Sequence, residues 1–92
     1  MTREAQCLLY VIGVMEGMRR EGWIEGPSRP LTPKGLHAYA EMQERGFAIS
    51  REEVRQCLRV MNSKEPDDDL LALTAHCAGA PDWNGDDFGS AA

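Results

Sequence analysis

Apolar residues recur at helical spacing in four stretches, parted by breaks that contain glycine or proline. The first spans about Arg3 to Glu21, with Thr2 as N-cap and Gly22 as the left-handed residue that ends it, so that Trp23 folds back toward Met18. Its apolar run of Cys7, Leu8, Leu9, Tyr10, Val11, Ile12, Val14 and Met15 is wider than one amphipathic stripe. A helix of that kind is central or shared with a second chain, and Leu8, Val11, Ile12 and Met15 are the residues expected to self-associate. Gly13 and Gly17, four apart, would let another backbone come close.

A connector from Gly22 to Leu31, with Gly26, Pro27 and Pro30, has room for a short two-stranded ribbon in which Trp23 and Ile24 form a brief strand. The second helix is announced by Thr32 as cap, Pro33 at the first position and a Leu31–Leu36 staple. Leu36, Tyr39, Ala40 and Met42 make its expected apolar side, and Gly46 ends it. The third starts with a capping box, Ser50 and Glu53, and an Ile49–Val54 staple, then runs through Val54, Cys57, Leu58 and Met61. A fourth begins near Asp67 and carries Leu70, Leu71, Leu73, Thr74 and Cys77 to the break at Ala78 to Pro81.

These stretches predict a mainly α fold, a compact three- or four-helix domain over residues 1–80, followed by an acidic tail over 81–92. A chain of 92 residues makes one domain with a thin stability margin, which dimerisation or a partner would widen. At 42% hydrophobic and 27% charged, it has ordinary globular composition. The longest apolar run falls far short of the ~20 residues that span a bilayer, so no membrane partner is expected. Glu4 beside Arg3 and the lack of a small-residue cleavage site after Met15 argue against a secretory signal. Three scattered cysteines, Cys7, Cys57 and Cys77, fit a reducing cytoplasm better than a disulfide framework.

Charge sharpens the picture. The net charge of −5 divides into ten bases against eight acids up to residue 64, then seven acids and no base beyond it. Arg51, Arg55 and Arg59 lie on one flank of the third helix with no acid interleaved at i+4, and like charges at that spacing repel by a few tenths of a kcal/mol, roughly, per pair. Something negative should offset them: nucleic-acid phosphates, an acidic partner, or the chain's own Glu65 and Asp67 to Asp69.

At Gly22-Trp23-Ile24-Glu25 through Arg29, followed by Leu31-Thr32-Pro33-Lys34-Gly35, the chain resembles the wing and following helix of winged-helix transcriptional regulators, over about residues 22–46. The resemblance implies a DNA-binding regulator. One helix precedes the segment where that family has two or three, so no recognition helix is assigned and no DNA-contacting residue is carried over.

Motifs that carry chemistry are sparse. The cysteines with His76 and His37 lack the close ligand pairs of structural zinc sites, so no metal is expected. Asp82, Asn84 and Asp86 resemble the first half of a calcium loop, but Asp87 stands where its turn glycine belongs. His37 and Glu41 read as a surface pair rather than a catalytic dyad. Neither a phosphate loop nor a nucleophile elbow is present, and neither an enzyme nor a cofactor is expected.

The leading expectation is therefore a small non-enzymatic protein-binding modulator that engages a larger protein or nucleoprotein complex. Proteins of this build occur among phage and mobile-element accessory factors, including anti-CRISPR and other anti-defence inhibitors; that step is analogy. Candidate partner-binding residues are Arg51, Arg55 and Arg59 for an acidic surface. For a basic one they are Asp67, Asp68, Asp69, Asp86 and Asp87, anchored by Trp83 and Phe88. A reduced winged-helix regulator, dimeric through helix one, and a phage structural or assembly adaptor are the alternatives.

Overall fold

The structure is a computed structural model and describes residues 1–80. The chain is mainly α, with four helices among the described residues: α1 (Arg3–Arg20), α2 (Pro33–Arg45), α3 (Arg51–Asn62) and α4 (Asp68–Cys77). Its contacts fall into two units, residues 1–47 with α1 packed on α2 and residues from Ala48 onward with α3 packed on α4. No described helix is long and apolar enough to cross a membrane.

The caps form where their side chains demand. Thr2, Thr32 and Ser50 each accept a hydrogen bond from the amide three residues on, at 3.1 Å, and Glu53 returns one from the Ser50 amide at 3.0 Å to complete the capping box. At their other ends α1, α2 and α4 close with Gly22, Gly46 and Gly79 in the left-handed region. There the amides of Trp23, Phe47 and Ala80 donate to the carbonyls of Met18, Met42 and Ala75 at 2.9–3.0 Å. α3 ends differently, on Ser63 at φ 58°, without a glycine.

In the first unit, α1 buries Cys7, Tyr10, Val11, Val14, Met15 and Met18. The Tyr10 ring packs on Tyr39 of α2 at 5.4 Å and on Phe47 at 4.9 Å, and the Arg3 guanidinium lies 4.7 Å over Phe47. Gly13 is what lets α2 come close, although the group it admits is a ring rather than a backbone. A Cβ there would sit 2.5 Å from the Tyr39 ring, whereas one on Gly17 would meet nothing within 4 Å.

That contact turns α2 away from its expected orientation. Gly35, Ala38, Tyr39 and Met42 are half-buried, while Leu36 is 56% exposed and Ala40 is exposed. The half-buried set follows the i, i+3, i+4, i+7 spacing as well as any, but two of its members are too small to read as apolar anchors.

The connector holds no strand. Pro27 and Pro30 lack the N–H a ladder requires, and the Arg29 amide donates to Glu16 of α1 instead. Trp23 is 57% exposed, so its backbone closes α1 while its ring remains in solvent. In the second unit Ile49, Val54, Cys57, Leu58, Leu71, Ala72, Thr74 and Ala75 are buried, and the Thr74 hydroxyl is satisfied by the Leu70 carbonyl at 2.7 Å.

Candidate functional site

Arg55 is the centre of the charged surface. From the middle of α3 it donates Nε and Nη2 to Glu52 at 2.6–3.1 Å, and Nη1 to both oxygens of Glu65 at 2.9 and 3.1 Å. Glu65 reaches back because Ser63, in the left-handed region, reverses the chain at the end of α3. Arg59 shares the same carboxylate, its Nε 3.4 Å away.

Two carboxylates hold the Arg55 guanidinium well above its ordinary range, Glu52 first and Glu65 next. The Glu52 carboxyl is in turn held below its usual range, chiefly by Arg55 and then by Gln56. Glu52 and Glu65 are each 60% exposed and Arg55 28%, so solvent screens these pairs. Of the negative groups weighed against the arginine flank, the chain's own Glu65 is in place. Glu52 adds to it from three residues before Arg55, a spacing that a check at i+4 alone passes over.

Asp67, Asp68 and Asp69 are exposed at the start of α4. Asp67 stands at the N-cap without a side-chain cap bond, while Asp68 and Asp69 occupy the first turn, where the helix dipole favours acids. Residues 1–47 hold six bases and six acids and residues 48–92 four bases and nine acids, so the whole net charge of −5 belongs to the second part of the chain. Trp83, Asp86, Asp87 and Phe88 lie outside the described residues, as does the rest of the acidic segment over 81–92.

Of the four residues expected to self-associate, Val11 and Met15 are 0% and 4% exposed and lie in the chain's own interior, while Leu8 and Ile12 are half-buried. His37 and Glu41 are 3.4 Å apart on the outside of α2, both well solvated. Cys7 and Cys57 are buried, Cys77 is half-buried, and burial pushes the Cys77 thiol up. Among the described residues no three His, Cys, Asp or Glu are placed to hold a metal ion.

One cluster reaches beyond its local i,i+3 pair. The Glu16 carboxylate on α1 accepts from Arg19 Nη1 at 3.0 Å, from the Ser28 hydroxyl at 2.8 Å and from the Arg29 amide. It pins the connector to the helix. The Arg29 amide, then the Ser28 hydroxyl and Arg19, outweigh burial and hold its carboxyl below the usual range.

Fold and surface together define a mainly α protein in which the chain's own carboxylates engage Arg55 and Arg59 and in which acids begin α4 in solvent. Compared with family models, with curated proteins and with solved structures, the chain matches none.

Proposed function

We propose that this chain is a small non-enzymatic modulator that binds a basic surface of a larger protein or nucleoprotein complex through Asp67, Asp68 and Asp69. By their residue types Asp86, Asp87, Trp83 and Phe88 are further candidates for the same partner. The supporting observation is the contrast within the second unit: Arg55 is engaged by Glu52 and Glu65, whereas the three aspartates are exposed and Asp67 makes no side-chain cap bond. A surface of exposed carboxylates steers toward Lys- and Arg-rich sites and adds specificity there. Such sites are where proteins hold nucleic acid, and the proposal places the chain among phage or mobile-element inhibitors of the anti-CRISPR and anti-defence type by analogy.

Capture from an extract of the native host tests this, comparing the intact chain with the Asp67→Asn/Asp68→Asn/Asp69→Asn variant. The expected result is a basic partner retained by the first and weakened about tenfold or more in the second. Equal retention by both would remove the aspartates from the interface. Titration with duplex DNA at rising salt distinguishes the winged-helix regulator, which requires DNA affinity that falls steeply with salt.

A further inference from the structure

The outer face of α2 divides into two lanes. One is apolar over Pro33, Leu36 and Ala40 and ends on the polar Gln43, whose amide donates to the Tyr39 hydroxyl at 3.0 Å; all four are exposed. Beside it Lys34, His37, Glu41 and Glu44, also exposed, follow one another at steps of three and four. This charged lane is basic in its first half and acidic in its second.

The order of those charges runs against the helix itself. Acids occupy the first turns of α1, α3 and α4, where the dipole favours them, but α2 has none and carries Lys34 there. Glu44 near the other end is equally misplaced, although Arg45 beside it suits the dipole. None of α2 is fully buried, and Leu36 is 56% exposed.

We infer that α2 is a dimerisation helix that packs antiparallel on α2 of a second copy, about a two-fold axis level with position 39. Such an axis reverses the helix direction and sets each lane against its own counterpart. Lys34 and Glu44 lie five positions either side of 39, and His37 and Glu41 two positions either side. Lys34 therefore meets the partner's Glu44, and His37 meets the partner's Glu41. Each misplaced charge also gains a favourable helix end, with Lys34 near the partner's C-terminus and Glu44 near its N-terminus. In the apolar lane Leu36 falls between the partner's Ala40 and Gln43, and the small Ala40 lets the helices approach.

No other occupant fits this pattern so directly, because the lane complements itself only when reversed. A contact confined to one pair of helices is smaller than the roughly 1,200–2,000 Å² of standard stable interfaces, so the dimer is a weak one. The inference is independent of the aspartate surface proposed above.

Sedimentation velocity of the full chain from about 1 µM to about 1 mM at low salt tests it. The expected result is a monomer–dimer equilibrium that Lys34→Glu or Glu44→Lys each weakens about tenfold, and that the double variant restores. Both single variants suit the helix dipole better than the natural residue does, so unchanged or higher helicity by circular dichroism separates lost association from lost folding. Leu36→Glu should abolish the dimer. A chain that stays monomeric throughout, a dimer indifferent to the single variants, or a double variant that does not recover would each overturn the assignment.

Discussion

Replacing the Glu16 carboxylate removes three hydrogen bonds at once, from Arg19, the Ser28 hydroxyl and the Arg29 amide. Glu16→Ala should cost about 2 kcal/mol in urea unfolding at neutral pH. The carboxyl titrates below its usual range when folded, so its stabilisation is complete above the unfolded pKa of about 4.3 and is lost as pH falls through the lower folded value. The gap between the natural chain and Glu16→Gln should accordingly shrink below about pH 4, and a gap constant from neutral to acid pH would contradict that role. Its i,i+3 pairing with Arg19 is a local signal, but its hold on the connector is not, because Ser28 and Arg29 lie 12 and 13 positions away. Ser63 was equally hidden: it takes the left-handed end of α3 at φ 58° where the other three helices use glycine. Ser63→Gly should raise stability by about 0.5–1 kcal/mol, read as a higher urea midpoint at unchanged slope.

Helix starts and stops were legible because each rests on contacts within a few residues, as at Thr32 with Pro33, Ser50 with Glu53, and Gly22, Gly46 and Gly79. Which side of α2 faces α1 was legible only in part, at Tyr39 and Met42. That choice is made by Tyr39 filling the space over Gly13, a fit between two helices that apolar spacing on one of them cannot report. Leu36 and Ala40, read as core, are exposed in consequence, and Gly35 and Ala38 take their place. Gly13→Ala should force Tyr39 aside and destabilise the first unit by about 1–3 kcal/mol, with Tyr10 and Phe47 disturbed along with it. Thermal unfolding of that variant measures the cost; a melting temperature equal to the parent's would mean that the ring yields freely. The two-strand ribbon failed for an elementary reason as well, since prolines at 27 and 30 remove donors from the segment that was to pair.

Over the whole chain, the charge division read from the sequence gains a sharper boundary: the part up to Phe47 is neutral and everything after it carries the −5. The arginine flank was visible from spacing alone. Its engagement by Glu65 depends on how the chain turns at Ser63, so the sequence could offer that carboxylate only as one of several counter-charges. Each unit also contains a carboxyl held below its usual range, Glu16 in the first and Glu52 in the second, so acid weakens both. For the connector the effect has a direction of its own. Protonating Glu16 weakens its hold on Ser28 and Arg29 in the segment that carries exposed Trp23, half-buried Ile24 and half-buried Leu31, while the Trp23 amide stays on Met18. Limited proteolysis in acid by an endopeptidase that favours aromatic and aliphatic residues should accordingly cut this segment faster than α1 itself, and a segment left intact would contradict that loosening.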